Sequence, residues 1–204
     1  MVAATLEDVL EEARDLGFLG PGPVAGHIEH ARGFLRAVGE RPPERVVDLG
    51  SGGGLPGLVV AQAWPDARVG LLDSSERRAR FLGRAVLALG LDARVVVAQA
   101  RAEDAGRDPA WRGRADLVVA RSFGPPAVTA ECAAPLLEVG GRLVVSEPPD
   151  GAERWPAESL EQLGLRPTGR LEQAFSRFQI LRQESTCPGR FPRRVGIPAK
   201  RPLF

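Results

Sequence analysis

The sequence predicts an α/β protein in which a mostly parallel sheet is flanked by helices. Short apolar segments, typical of buried strands, alternate with segments of helical period through residues 45–163. This alternation indicates parallel pairing, because neighbouring parallel strands need a crossover connection that is usually a helix. A run of glycines follows the first predicted strand, where the chain must turn into a helix. The 204 residues are enough for one domain with a real core.

The part of the chain before the sheet is predicted to be helical. Residues 5–16 and 24–38 carry apolar side chains at helical spacing, and Thr5 and Asp8 are spaced as a capping box for the first of these helices. We expect both helices to pack on the core. The chain is thus divided into three parts of one structural domain, namely a helical extension (1–43), a core (44–186) and a C-terminal tail (187–204).

Strands and helices are predicted to alternate through the core in a regular order. The strands are predicted at residues 46–49, 68–72, 94–98, 116–120 and 142–146, with two late strands near Arg170 and at 178–181. The helices are predicted at residues 55–63, 75–89, 127–137 and 153–163. The C-terminal tail is punctuated by proline and glycine and shows neither a helical nor a strand period.

Composition and charge limit the classes of function. The 27 basic and 26 acidic residues give a formal net charge of +1, so global charge neither favours nor excludes a nucleic-acid partner. Cys132 and Cys187 match neither a zinc pattern nor a disulfide framework, so we expect no metal and a reducing compartment. The sequence shows no signal peptide and no run of about 18 uncharged apolar residues. We therefore expect a cytoplasmic monomer without a membrane span.

The clearest functional feature is the glycine turn, which we define as residues 48–54, Asp-Leu-Gly-Ser-Gly-Gly-Gly. Its glycines allow positive φ and let a ligand approach the backbone, and the next helix directs free N–H groups at that ligand. Asp73 lies 19 residues after Gly54, at the end of the second strand. An acid at this place can accept hydrogen bonds from both ribose hydroxyls of an adenosine. The pattern predicts a ligand that contains a nucleoside.

Two such ligands are compatible with the glycine turn. Gly52, Gly54 and Gly57 formally satisfy the dinucleotide pattern G-x-G-x-x-G. In that register Asp48 would point at a pyrophosphate, which places an anion beside an anion. With S-adenosylmethionine, Asp48 would instead meet the cationic amino-acid end. We interpret the turn as the site of this methyl donor, with a dinucleotide, or a glycine turn that binds no ligand, as the alternatives.

Several segments of the chain resemble the RsmG methyltransferases, also called the glucose-inhibited division protein B family. The glycine turn itself is shared by many methyltransferases, whereas Leu55-Pro56-Gly57 and the C-terminal tail are far more particular. The likeness covers residues 45–204. The segments that carry it are Asp-Leu-Gly-Ser-Gly-Gly-Gly-Leu-Pro-Gly (48–57), Leu-Leu-Asp-Ser-Ser-Glu-Arg-Arg-Ala-Arg-Phe-Leu (71–82), Arg-Ala-Glu (101–103), Ala-Arg-Ser (120–122) and Phe-Pro-Arg-Arg-Val-Gly-Ile-Pro-Ala-Lys-Arg-Pro-Leu (191–203).

The resemblance implies a Rossmann-like class I S-adenosylmethionine-dependent methyltransferase with a seven-stranded, mostly parallel sheet whose last strand is antiparallel. It implies methylation of guanine N7 in small-subunit (16S) ribosomal RNA, with S-adenosylhomocysteine as the product and RNA or the small subunit as the partner. By matching position, the residues implied to line the cofactor and active site are Gly50, Leu55, Ala102, Glu103 and Arg121. The glycine turn and the second strand add to the expected donor-binding set Asp48, Ser51, Gly52, Gly54, Asp73 and Ser74.

Two departures from the family concern the acceptor. The chain lacks the family's Trp-Asn pair, and the run His30-Ala31-Arg32-Gly33 stands where the family has His-Asp-Ser-Leu. Glu147, in Ser146-Glu147-Pro148-Pro149, replaces a family lysine, and an anion there would repel RNA phosphate. A small-molecule methyltransferase with an altered acceptor pocket is therefore the alternative function, and a non-catalytic nucleotide- or RNA-binding module is a third.

The C-terminal tail is locally basic. It contains no acidic residue, so we expect its cations to contact RNA phosphates. The candidate RNA-binding residues are Arg193, Arg194, Lys200 and Arg201.

No general base is expected, because guanine N7 is a lone-pair nucleophile with no proton to remove. Arg121, at the end of the fourth strand, is the candidate residue on the acceptor side, because ligands of α/β sheets bind at the carboxyl ends of strands. His27 and His30 lie three residues apart on a predicted helix and are interpreted as surface or packing residues.

Overall fold

In the computed structural model, which describes residues 4–148, 153–173 and 176–204, the chain forms one seven-stranded sheet with flanking helices. The strands are β1 (Arg45–Leu49), β2 (Arg68–Asp73), β3 (Val95–Gln99), β4 (Ala115–Ala120), β5 (Leu137–Glu147), β6 (Leu165–Gln173) and β7 (Ser176–Gln183). The helices are α1 (Leu6–Asp15), α2 (Val24–Val38), α3 (Gly57–Ala63), α4 (Glu76–Ala88), α5 (Ala102–Ala105), α6 (Pro126–Ala133), α7 (Ala157–Glu161) and α8 (Ile197–Lys200), with a 3-10 turn at Ala134–Leu136. In this described part of the chain, no helix combines the length and the apolar character of a membrane span.

The strand order is β3-β2-β1-β4-β5-β7-β6. The first five strands are parallel, and β7 runs antiparallel to both of its neighbours. This confirms the predicted mostly parallel sheet with an antiparallel last strand. The order reverses between β1 and β4, and ligands of open α/β sheets bind in the crevice at such a point.

Alternate side chains of each strand enter two separate cores, one on each face of the sheet. Val46 of β1 packs in the core that includes α1 to α4, whereas Val47 packs in the core on the opposite face. The extension belongs to the first core, where Phe34 of α2 lies 4.8 Å from the ring of Phe178 of β7, edge to face. A side chain at Gly33 would collide with Phe178. The glycine therefore allows α2 to pack closely against β7 of the sheet.

Several predicted bounds were wrong, and prolines and glycines explain them. The helix predicted at 127–137 ends at Ala133, because Pro135 cannot donate to a helical hydrogen bond. Strand β5 begins at Leu137 rather than at 142 and runs through the Gly140-Gly141 pair, which reads as a turn in the sequence. Helix α7 is shorter than the predicted 153–163, since Pro156 precedes its first turn.

The C-terminal tail, predicted to lack regular structure, folds against the core and contains α8. Phe191 is buried in the second core. The guanidinium of Arg112 donates hydrogen bonds of 2.7–3.1 Å to the carbonyls of Gly106, Cys187, Pro188 and Phe191. Arg107 donates two more to the carbonyl of Pro192. These bonds satisfy backbone acceptors of a segment that has few backbone partners of its own.

An ion pair with a buried carboxylate fixes the same segment to α6. Glu131 is fully buried, and its carboxylate accepts hydrogen bonds from the backbone N, Nε and Nη2 of Arg193 at 2.8, 2.8 and 2.6 Å. The side chain of Arg194, next along the chain, is exposed. Adjacent tail arginines therefore have different surroundings, and Arg193 is engaged by the protein itself.

Arg193→Ala is expected to lower the free energy of unfolding by about 3 kcal/mol, because Glu131 would remain as a buried charge without its cation. Arg194→Ala is the matched control and should stay within about 0.5 kcal/mol of the wild type, as for other exposed sites. Urea unfolding of the three proteins measures both values. Equal stabilities of the two variants would contradict a structural role for Arg193.

Candidate active site

A cavity of about 300 Å³, here the switch-point cavity, opens where the strand order reverses, at the carboxyl ends of β1, β2 and β4. Its apolar wall comes from the second core, and the C-terminal tail adds Ala199. The predicted donor-binding residues that line it are Gly50, Asp73, Ser74, Ala102 and Glu103. Its size falls at the lower end of the range of small-molecule sites.

The glycine turn forms one wall and is held to β2. The N–H groups of Gly50 and Ser51 both donate to the carbonyl of Leu72, at 2.8 and 3.0 Å. Gly50 has φ +76°, and a Cβ there would lie 2.7 Å from the ring of Phe123. Glycine alone adopts this positive φ without strain and leaves room for the ring. The ring of Phe123 can therefore pack on the turn and close that side of the cavity.

Asp73 ends β2 with its carboxylate held in a fixed orientation. It is 5% exposed, Oδ2 accepts from the N–H of Gly52 at 2.9 Å, and Oδ1 accepts from the N–H of Ser75 at 2.8 Å. Nη1 of Arg78 lies 3.7 Å from Oδ2. Each carboxylate oxygen retains a lone pair after these bonds. Asp73 can therefore accept two further hydrogen bonds from a ligand in the cavity.

Glu103 connects the cavity to the C-terminal tail. It lies in the first turn of α5, is buried, and its Oε1 accepts from the N–H of Gly196 at 2.9 Å. Ala199 of α8 also lines the cavity. This contribution of the tail was not predicted, and no local pattern in the sequence indicates it.

The other predicted donor-binding residues lie outside the cavity wall, where they shape the turn or border it. Ser51 is buried, and its Oγ donates to the carbonyl of Asp48 at 2.9 Å. Gly54 has φ +97° and donates to the carbonyl of Ser51. The predicted residues outside the wall are Asp48, Ser51, Gly52, Gly54, Leu55 and Arg121.

Phe123, Val128 and Cys132 are further wall residues that were not predicted from the sequence. Phe123 follows the fourth strand closely, so its position at the carboxyl edge could have indicated it. Val128 and Cys132 lie one helical turn apart on α6, and only the packing of that helix brings them to the cavity. Burial raises the pKa of the Cys132 thiol far above its ordinary value, so this thiol stays protonated. Among the described residues, no group of three or more metal-binding side chains is placed to hold a metal ion.

Asp48 lies behind the glycine turn. It is fully buried, and Oδ2 accepts from the N–H of Gly57 at 2.8 Å. Gly57 is required here, because a Cβ would lie 2.3 Å from Leu71 and 2.6 Å from the Asp48 carboxylate. Oδ1 is buried and has no hydrogen-bond partner among the described residues. Burial raises the pKa of Asp48 to about 7.

Arg121 directly follows β4 and is bound to the helical extension. Its Nη2 lies 2.7 Å from Nδ1 of His27, and Nε2 of His27 lies 3.0 Å from the carbonyl of Gly20. A carbonyl only accepts, so Nε2 carries the ring hydrogen and Nδ1 accepts from Arg121. His27, interpreted from the sequence as a surface or packing residue, thus has a specific structural contact with Arg121.

Glu147 ends β5 and contacts a cation. Its side chain is 14% exposed, and Oε2 lies 3.4 Å from Nη1 of Arg154. The negative charge that stands in place of the family lysine is thus partly offset within the protein. Pro149, the last residue of the segment Ser146-Glu147-Pro148-Pro149, lies outside the described residues.

Asp48→Asn is expected to change how stability depends on pH. The folded-state pKa of Asp48, about 7, exceeds the ordinary 3.8, so the folded state binds this proton more tightly than the unfolded state. The stabilisation is complete below about pH 4 and is lost as the pH rises through about 7. Relative to the variant, the wild type should therefore lose a few kcal/mol of unfolding free energy over that interval.

Urea unfolding at a series of pH values measures this loss. Asp66→Asn is the matched control, because Asp66 is exposed. Parallel curves for the wild type and Asp48→Asn would show that burial does not raise the pKa of Asp48.

Comparison with known proteins places the chain in a family. A family model described as rRNA small subunit methyltransferase G matches residues 29–148. A relative from Symbiobacterium thermophilum, named Ribosomal RNA small subunit methyltransferase G, is 40% identical over 198 residues, which cover 88% of this chain and 78% of the relative. A relative of the same name from Rubrobacter xylanophilus is 41% identical over 180 residues, which cover 83% of this chain and 67% of the relative.

Solved structures share the fold. A SAM-dependent O-methyltransferase from Thermotoga maritima has a TM-score of 0.62 at 14% identity. The match covers 87% of this chain and 71% of that enzyme's chain. The 16S rRNA N2 G1207 methyltransferase of T. thermophilus, solved with AdoMet and guanosine, has a TM-score of 0.51 at 25% identity. The match covers 78% of this chain and 40% of that methyltransferase. The predicted Rossmann-like methyltransferase fold is confirmed. The chain therefore belongs to the rRNA small subunit methyltransferase G family.

Proposed function

We propose that this protein transfers a methyl group from S-adenosylmethionine to N7 of a guanine in small-subunit (16S) ribosomal RNA. The observation that carries the proposal is the switch-point cavity, in which the glycine turn and the buried Asp73 meet in a chain of this family. The partner is the ribosomal RNA or the small subunit.

The described residues fit the methyl donor. The carboxylate of Asp73 has free lone pairs for the two ribose hydroxyls. Ala102 and Glu103, which the resemblance implies as cofactor residues, line the cavity on the side of α5, and the ring of Phe123 provides an apolar face. Gly50 lines the cavity through its backbone, and Phe123 packs where a side chain of this residue would stand. A dinucleotide is less favoured, because the family model and the curated relatives are methyltransferases.

The reaction requires positioning more than acid–base chemistry. S-adenosylmethionine supplies a methyl group that its sulfonium has already activated. As the bond from N7 to carbon forms, the bond from carbon to sulfur breaks in line, and no proton leaves N7. The chain's part is to align the two reactants. The protonated Cys132 thiol and the hydrogen-bonded carboxylates of Asp73 and Glu103 are consistent with a site that needs no base.

The family favours ribosomal RNA over a small-molecule acceptor. Curated relatives at 40–41% identity carry the name of a ribosomal RNA methyltransferase, and a structural neighbour was solved with guanosine. The contact with Arg154 weakens the electrostatic objection raised by Glu147. A non-catalytic binding module has no comparable support.

The direct test is to map N7-methylguanosine in 16S ribosomal RNA from cells with the gene, without it, and with the gene restored. We expect one modified guanine to be lost on deletion and to return on restoration. Unchanged N7-methylguanosine in all three strains would overturn the proposal.

Asp73→Ala is expected to weaken S-adenosylmethionine binding by about 1.5–3 kcal/mol, the scale of charge-assisted hydrogen bonds. Titration calorimetry measures the affinity. Asp66→Ala, which removes an exposed aspartate, is the matched control and should bind as the wild type does. A folded Asp73→Ala protein with unchanged affinity would remove Asp73 from the donor site.

The RNA contacts predicted for the C-terminal tail are assigned to Arg194, Lys200 and Arg201, which are exposed, because Arg193 is held by Glu131. Arg194→Ala should lower RNA affinity and reduce the log–log salt slope by roughly one unit at most. Donor affinity should stay within about 0.5 kcal/mol. Arg194→Lys, which keeps the charge, should keep the slope. An unchanged slope in Arg194→Ala would exclude a phosphate contact at this residue.

A further inference from the structure

We infer that a second cavity, beside Arg121, binds the acceptor guanine and that His30 and Arg121 provide its hydrogen-bond partners. This α2 cavity has a volume of about 470 Å³ and lies between α2 and the hairpin of β6 and β7. The polar residues of its wall are His27, Glu29, His30, Arg36, Arg121, Gln173 and Ser176. The inference rests on the proposed function and identifies the part of the acceptor that enters the protein.

The α2 cavity adjoins the place where the methyl group would be transferred. Arg121 lines the α2 cavity, and Ser122 and Phe123, which follow it in the chain, line the switch-point cavity. Three consecutive residues after β4 thus line one cavity or the other. The inference requires a base in the α2 cavity to reach the donor across this segment, because an in-line displacement brings the two reactants together.

Two polar atoms of the cavity wall are buried without a partner among the described residues. They are Nδ1 of His30 and Nη1 of Arg121. An unpaired buried polar atom costs about 1–3 kcal/mol, so its presence indicates a partner that binds from outside. Burial and the nearby Arg121 lower the pKa of His30 to about 4, which keeps its ring neutral and able to accept a hydrogen bond.

The other polar groups of the wall are already engaged. Oε1 of Gln173 accepts from Arg36 at 3.0 Å and from Ser176 at 3.3 Å. Oε1 of Glu29 accepts from Arg36 at 2.8 Å. Nη2 of Arg121 is fixed by His27, which acts as a positioning residue. Among the buried polar atoms of this wall in the described residues, Nδ1 of His30 is therefore the candidate acceptor and Nη1 of Arg121 the candidate donor.

One acceptor and one donor match guanine. Its O6 accepts a hydrogen bond, and its N1–H and N2 amino groups donate. Arg121 can bind O6 and His30 can bind a donor, which leaves N7 free to attack. Adenine presents a donor in place of O6, so it would face the guanidinium unfavourably. The ring of His30 is held 5.4 Å from Phe178 and 6.0 Å from Phe34, so its orientation is set before a base arrives.

A binding experiment tests the assignment without measuring activity. The chain contains two histidines, so histidine labelled with ¹⁵N gives two imidazole systems, which the His30→Gln variant assigns. Guanosine 5′-monophosphate is titrated into the full chain saturated with S-adenosylhomocysteine, with adenosine 5′-monophosphate and ribose 5-phosphate as controls. We expect a saturable shift of the His30 resonance with the guanine nucleotide only. No shift, or an equal shift with either control, would overturn the inference.

A kinetic experiment tests the same residue in the reaction. His30→Phe keeps an aromatic ring against Phe34 and Phe178 but removes the nitrogen. It should slow single-turnover methylation of small subunits by at least about tenfold, the scale of one lost hydrogen bond, with donor affinity unchanged. His30→Gln, which retains an acceptor, should recover most of the rate.

The outcomes separate the inference from the proposed function. Wild-type rates in His30→Phe, or equal losses of rate and melting temperature in both variants, would overturn the role of His30. If the wild-type protein forms no N7-methylguanosine, the proposed function fails instead. The nucleotide titration then decides alone whether the α2 cavity binds guanine.

Discussion

Three backbone N–H groups hold the glycine turn to the end of β2, and the rest of the site depends on them. Gly50 and Ser51 donate to the carbonyl of Leu72, and Gly52 donates to the carboxylate of Asp73. These bonds orient Asp73 and fix the backbone against which Phe123 rests. Buried donors of this kind have to be paired, so the turn cannot move away from β2 without losing all three bonds.

Each cavity is completed by a segment outside the parallel strands. The helical extension provides His27, which holds Arg121 at the edge of the α2 cavity. The C-terminal tail provides the N–H of Gly196, which binds Glu103, and Ala199 in the wall of the switch-point cavity. The sheet therefore positions the reaction, and the two ends of the chain shape the space on either side of β4.

Local signals in the sequence predicted the parallel strands, the glycine turn and Asp73, because strand period, positive φ and the end of a strand depend on neighbouring residues. The pair of Arg121 and His27 spans 94 positions, and that of Arg193 and Glu131 spans 62. No pattern of spacing indicates such contacts, since the packing of α2 and α6 on the sheet creates them. The C-terminal tail was misread for the same reason, because its order comes from Arg112 rather than from its own period.

The ion pair between Glu131 and Arg193 joins two segments that are synthesised at different times, because the residues are 62 positions apart. Helix α6 leaves the ribosome well before the C-terminal tail. Glu131 therefore has no ion-pair partner until Arg193 is synthesised, although most strands of the sheet precede Arg193 in the chain. During that interval a carboxylate destined for the interior has only water or a proton to stabilise it. Maturation of the switch-point cavity is thus tied to the last segment of the chain, and a nascent chain without residues 187–204 would hold an unfinished site.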